Sequence, residues 1–551
     1  MNRGRDIQTP SPGLQVWVPW GVEFVAVVLL VIGAMQARAG LPAIPLSTWD
    51  SWGFLNPALS WLSGDGFQQT NGRDWFYPGI LTLFLKTTGS YAGIFYWQQV
   101  LGILSVVLMA VTWRVWASLL PLSSWTRLAV TLVGVIPIWV QVTNPQTIFF
   151  ETLLRPEAIM PFFVYGQLAC LLAYCRYRWL KPSSTLALIF GALALFLGYA
   201  CLLLKPSWLF AFAATVAPVF VGILGSGTSL KSRLLAPAVG ITLSLVVLWL
   251  PPKLWYLKDS ASKTFLPSTL FTVHADLMAK HLAGTISTLP ANDPEKVKLE
   301  TILAHLDKEL AVARTIPHNY DKLGFDPDYL YYRSDLLSTV YQQAGGTDEA
   351  FRAFCMKQFV SAALHNPVGF AQKTLTQFTY FLFPDAGTLY RFRVNFEKDA
   401  QAAVESLEPR YVERYRPEIR DAYLAYLGDL AAVAKNPPKL ERRGLARTWS
   451  KPFAAWALPL ELVFLVAFGV VLFCGRFADL RLGGWATLLL FSAPAANAFT
   501  VALVHALDIA RYRYSYGGFL LFALTAMAVF VLLVLGKSLR PLVGRLLTSR
   551  Q

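Results

Sequence analysis

Apolar residues along this chain gather into ten runs at or near the roughly 20 residues that a helix needs to cross a bilayer core. They lie at about 17–37, 94–118, 127–143, 158–175, 185–203, 207–225, 234–252, 456–474, 484–506 and 515–536. Between the first two runs, apolar residues recur at helical spacing in stretches too short to span. Trp52, Leu55, Leu59 and Leu62 form one stripe, and Ile80, Leu81, Phe84 and Leu85 form another. Both read as amphipathic helices lying in the membrane interface, within a loop of about 38–93.

From about 254 to 455 the pattern changes to polar sequence with shorter stripes. Leu299, Leu303, Leu306 and Leu310 mark a helix over Asp293 to Thr315, and further stripes run about 326–343, 348–365, 367–383 and 411–434. The predicted fold is an all-α polytopic membrane protein. It has a seven-span module over 1–253, a helical insert over 254–455 and a three-span segment over 456–551. The insert carries no chemical motif and reads as a lid or an acceptor platform. No internal repeat or low-complexity tract is present.

Composition agrees with that division. Only 15% of the 551 residues are charged, against about 25% in soluble domains. The first run is of full spanning length and no small-residue cleavage site follows a short core, so it reads as a span and not as a cleaved signal peptide. The net charge of +15 would suit nucleic acid, but its distribution does not. The segment 254–455 holds 25 Lys+Arg and 23 Asp+Glu, leaving 23 Lys+Arg and 10 Asp+Glu elsewhere. Those excess bases sit mainly in short loops, near Arg114/Arg127, Arg176/Arg178/Lys181, Lys231/Arg233 and Arg476/Arg481, and at both termini. All fall on one side of a ten-span topology, which makes that side and both termini cytoplasmic. No nucleic-acid partner is expected. Four of the five cysteines lie in or at the ends of apolar runs, which argues against a disulfide framework or a zinc site. No Asn-x-Ser/Thr acceptor occurs, in keeping with a bacterial inner-membrane location.

Seven of the ten acids outside the insert project to the other, outer side: Asp50, Asp65, Asp74, Glu151, Glu157, Glu461 and Asp508. Acids close to a bilayer are costly and tend to serve function. Asp50, between Trp49 and Trp52, is placed to act as a general base on a hydroxyl. The other reading makes Asp50, or Ser51, the N-cap of a helix over 53–64. Glu151, Arg155 and Glu157 open the fourth span, either as an interfacial ion pair with a carboxylate at a helix start or as supporting or alternative acids. Lys205 ends the fifth span, where it snorkels or binds an anionic headgroup. Arg511 and Arg513 precede the last span against the positive-inside bias. They suit a lipid phosphate, or pairing with Asp508 or bulk headgroups.

In this order and placement, the segments resemble the GT-C superfamily of membrane glycosyltransferases. Asp50-Ser51-Trp52-Gly53-Phe54-Leu55-Asn56-Pro57-Ala58 to Ser63-Gly64-Asp65-Gly66-Phe67 is similar to the first outer loop of the aminoarabinose transferases and protein O-mannosyltransferases. Trp75-Phe76-Tyr77-Pro78 resembles their Tyr/Lys-Pro-Pro segment. Leu154-Arg155-Pro156-Glu157 resembles the Arg-x-acid start of the fourth span, and Arg511-Tyr512 and Arg513-Tyr514 resemble the late Arg-Tyr motif. The likeness covers about residues 15–210, with an echo at 505–520.

The resemblance implies transfer of a sugar from a polyprenyl-phosphate donor to an acceptor hydroxyl at the extracytoplasmic face, by inverting displacement. Asp50 would be the base, and Lys205, Arg511 and Arg513 would offset charge on the leaving phosphate. Two departures stand out. Ser51 replaces the second acid many relatives carry, and a lone carboxylate is a poor magnesium site, so a divalent cation is not required. Tyr77 stands where the family has a base, a role that falls to Arg73. The acceptor could be a glycan, a lipid or a protein. Two rival readings are a lipid-linked glycan flippase and a polysaccharide polymerase or ligase acting on lipid diphosphates.

Overall fold

The computed structural model describes residues 14–68, 73–224, 229–255, 264–316, 323–382, 393–437, 439–441, 445–504 and 509–548. In chain order, α1 (Leu14–Arg38) leads to α2 (Ser51–Ser63) and α3 (Phe76–Thr88), the two short helices expected in the first loop. Then come α4 (Tyr91–Ala117), α5 (Ser124–Thr143), the short α6 (Pro145–Thr152), α7 (Met160–Cys175), α8 (Ser184–Leu204), α9 (Leu209–Leu224) and α10 (Leu230–Ser244). A π-helical turn joins α10 to α11 (Leu250–Trp255).

The insert contains α12 (Leu266–Val273), α13 (Ala275–Thr288), α14 (Pro294–Thr315), α15 (Pro327–Tyr332), α16 (Leu336–Gln343), α17 (Asp348–His365), α18 (Pro367–Leu382), α19 (Phe396–Glu405) and α20 (Pro417–Lys435). The long helices α21 (Leu445–Phe473), α22 (Arg481–Val504) and α23 (Ile509–Thr548) complete the chain. Among the described residues the only sheet is a two-stranded antiparallel ladder, β1 (Arg393–Asn395) with β2 (Lys439–Glu441).

Among the described residues, nine helical stretches are long and apolar enough to cross a membrane. The 16 residues of α7 make a tenth crossing by topology. It packs along both α4 and α8, and it carries the chain from the end of the bundle where α5 finishes to the opposite end, where α8 starts. The protein is an all-α, multi-pass integral membrane protein. The last span is its most enclosed one, packed by α22, α21 and α5.

Local sequence explains the joints. Pro251 and Pro252 follow the π turn, and neither has an N–H to give a carbonyl one turn back. The Leu248 carbonyl accepts instead from Trp75 Nε1 at 2.7 Å, which ties the first loop to the end of the seventh span. Asp293 caps α14 by accepting from the Glu295 N–H at 2.8 Å, and Leu299, Leu306 and Leu310 on that helix are buried.

The insert is shared between two cores. Residues of α12 to α17, including Phe271, Met278, Ile302 and Leu306, form a core of their own. Residues of α19 and α20, including Ala400, Tyr423 and Tyr426, belong to the core of the membrane bundle.

Candidate functional site

A short stretch of extended backbone builds the site. Leu46 bridges Leu153 in parallel fashion, with Leu46 N donating to Thr152 O at 2.7 Å and Leu154 N to Leu46 O at 2.8 Å. This lays residues 46–51 beside 152–155, although about a hundred positions separate them in sequence. Ser51 Oγ donates to Leu154 O at 3.1 Å and locks the alignment.

Asp50 then meets two arginines. Arg155 Nη2 donates to its Oδ2 at 3.0 Å, while Arg155 Nε donates to Thr48 Oγ1 at 2.7 Å. Arg73 Nη2 donates to Oδ1 at 2.7 Å. The Arg73 guanidinium lies across Gly53, where a Cβ would come within 2.4 Å of it, so a side chain at this position would displace the arginine. Asp50 occupies the N-cap position of α2, yet its side chain makes no capping hydrogen bond. The side chain of Asp50 remains 40% exposed. The capping role that competes with chemistry for this residue is therefore not the one its carboxylate takes.

The other acids are disposed differently. Glu151 pairs with Arg38 through two hydrogen bonds of 2.6 and 2.7 Å, and Arg38 also donates to Ala34 O and Val142 O. Both side chains are buried, at 3% and 5% exposure. Gly102 makes room for the pair, since a Cβ there would lie 2.5 Å from the Glu151 carboxyl. Glu157 pairs with Lys205 at 3.2 Å, and Lys205 Nζ sits 4.3 Å above the ring of Tyr512. Lys205 thus has an acid partner that its sequence neighbourhood conceals. Tyr77 lies close to Glu157 and Arg155. Gln98 Nε2 donates to its hydroxyl at 2.9 Å, and burial, with Glu157 nearby, holds that hydroxyl well above its usual range and so protonated.

Arg511 and Arg513 fall in the first turns of α23, which starts earlier than the apolar run suggests. Their side chains, and the whole of Asp508, lie outside the described residues. Tyr512 between them is buried, and its contact with Lys205 brings that helix start to the Glu157 pair. Asp65 is exposed at the end of α2, and Glu461 is buried within α21.

Sequence reasoning did not foresee the part taken by the insert. Trp52 packs at a tilt against Tyr411 at 4.7 Å, Tyr91 stacks on Tyr426 at 4.2 Å, and Arg414 donates to Asn56 and Gln68 at 2.9 and 2.7 Å. The density of tyrosine and arginine between 410 and 426 was the available signal. Asp74 was also understated: burial pushes its carboxyl up to about 6, with Lys253 opposing the rise.

Chemically, these residues offer a fixed, accessible carboxylate, the cations Arg73, Arg155 and Lys205, and a protonated phenol. No family model, no curated protein and no solved structure matches the chain.

Proposed function

We propose that this protein is a GT-C-type glycosyltransferase. It moves a sugar from a polyprenyl-phosphate carrier to an acceptor hydroxyl at the extracytoplasmic face of a bacterial inner membrane. The observation that carries this reading is Asp50. It is anchored by two guanidinium groups and still open to solvent, at the end of the bundle where the first loop, the fourth span and the last span converge.

The acceptor hydroxyl gives its proton to Asp50 as its oxygen attacks the anomeric carbon. The bond from that carbon to the phosphate oxygen breaks, the carrier phosphate keeps the electron pair, and configuration inverts. Positive charge fixed in advance near the departing phosphate stabilises the transition state. Lys205, Arg511 and Arg513 take that part, and Arg73 both positions Asp50 and adds charge. Both the donor's lipid tail and its phosphate are accommodated at a membrane interface, so the reaction needs no soluble nucleotide-binding domain.

Purified protein given a labelled polyprenyl-phosphate sugar tests the reading. Transfer to an added glycan, lipid or protein acceptor, lost in Asp50→Asn while donor binding persists, supports it. Donor translocated across a vesicle membrane with no transfer would replace it with the flippase reading.

A further inference from the structure

At the opposite end of the bundle from Asp50, two apolar grooves flank the last turns of α4. The first lies between α1, α4 and α5, has a volume of about 240 Å³ and is lined along α1 from Trp20 to Leu30. Ten residues of helix cover about 15 Å, which is half of a roughly 30 Å bilayer core. The second, of about 370 Å³, lies between α4, α7 and α8. Its floor on α7 is Gly166, Ala169 and Ala173, small residues stacked on one helix face. One residue, Val111, borders both grooves and is 41% exposed on the ridge between them.

The groove mouths are basic. Arg114, one turn beyond Val111, closes the first, and Arg176 closes the second. Arg127 and Arg176 both lie within electrostatic range of Arg114. Against these three arginines stands Glu23, 3.1 Å from Arg114. The Trp20 ring, 3.4 Å from the Arg114 guanidinium carbon, holds that fork in place. Arg176 Nε has no hydrogen-bond partner, and because the residue is only partly buried, a small rotation of its side chain presents that N–H to a phosphate oxygen.

We propose that these grooves hold the two acyl chains of one anionic phospholipid, seated astride Val111 with its phosphate between Arg114 and Arg176. Two grooves parted by a single ridge match a diacyl lipid, whose chains leave one headgroup in the same direction. Basic pockets between membrane helices select anionic headgroups, and a zwitterionic lipid would bring a further cation to a site already rich in them. The site is remote from Asp50 and independent of the transferase reading.

The test uses the full-length protein in detergent, titrated separately with dioleoyl phosphatidylglycerol and dioleoyl phosphatidylethanolamine, and read by native mass spectrometry. The expected result is one phosphatidylglycerol held at least about tenfold more tightly than phosphatidylethanolamine, with Arg176→Gln removing most of that preference. A Cβ at Gly166 would meet only Leu197 at 3.4 Å and Leu108 at 3.7 Å, so a larger side chain there extends into the second groove. Gly166→Ile should weaken phosphatidylglycerol binding and spare the single-chain lysophosphatidylglycerol. Equal retention of the two diacyl lipids by the unaltered protein overturns the proposal, as does unchanged phosphatidylglycerol affinity in Arg176→Gln. Should that variant not fold, unchanged phosphatidylglycerol affinity in Gly166→Ile overturns it instead.

Discussion

Two acid–arginine sites sit within a short stretch of the fourth-span entrance and differ in nearly every physical respect. Arg38 and Glu151 close on each other out of water, at 5% and 3% exposure, and Arg38 Nη1 donates to two backbone carbonyls. Asp50 is shared between Arg73 and Arg155 and is 40% exposed. The first arrangement is shut away from any substrate by its burial. The second is held as firmly in direction but keeps a solvent-facing side. Fixing a carboxylate and leaving it reachable are separate requirements, and of these two carboxylates it is Asp50 that meets both.

The contrast breaks most forcefully at the closed pair. Removing one partner of a buried ion pair strands the other charge, a loss of about 3–5 kcal/mol. Glu151→Ala should therefore sharply lower the thermal unfolding midpoint in detergent, and Arg38→Met with Glu151→Leu should recover much of that loss. If Glu151→Ala were as stable as the parent while abolishing transfer, the assignment of the two sites would have to be exchanged.

At the open site the expected loss is of turnover and not of stability. A general base contributes about 10²–10⁴-fold, so Asp50→Asn should slow single-turnover transfer by roughly that factor. Asn caps helices about as well as Asp, and the Asp50 side chain makes no cap bond in any case. Donor binding and unfolding should change little. Full activity in Asp50→Asn would exclude it as the base and move attention to Glu157.

Much of this architecture is legible in the sequence. The crossings follow from run length, because the bilayer imposes it, and α2 and α3 follow from Trp52, Leu55, Leu59 and Ile80, Leu81, Phe84 at helical spacing. The pairings were not legible. Arg38 and Glu151 are 113 positions apart, and Arg155 and Asp50 are 105 apart. Charge patterning along a chain carries no record of which opposite charge a fold brings close. The same limit hid the Glu157 partner of Lys205. It also hid the division of the insert, since a stripe on α20 looks alike whether it faces its own domain or the membrane bundle.

Lys205 sharpens the comparison at an intermediate level, because it is enclosed like Arg38 yet borders the last span like a donor contact. Under the proposed function, Lys205→Met should raise the apparent donor KM by about tenfold, the scale of one hydrogen bond to a charged group. Glu157→Gln should restore stability to that variant without restoring donor affinity. If the double variant recovered KM as well, Lys205 would serve only to neutralise Glu157, and the phosphate would be left to Arg511 and Arg513.

The smallest effect belongs to Asp74, a third kind of carboxylate, half-buried and drawn up to about 6 by desolvation that Lys253 only partly offsets. An acid whose folded value exceeds its unfolded one, here 3.8, binds protons more tightly when folded. Its contribution is full below pH 3.8, declines as the pH rises toward about 6 and is absent above that, where the folded chain bears the burial cost of the anion. The whole shift corresponds to at most about 3 kcal/mol, and solvent access at a half-buried position reduces the expectation to about 1 kcal/mol. Asp74→Asn should accordingly be more stable than the parent at pH 7.5 and equal to it near pH 4. Thermal unfolding of both proteins across that range measures the difference directly. A parallel pH dependence in the two, or a variant less stable at pH 7.5, would mean that the burial cost of Asp74 is offset in the folded state.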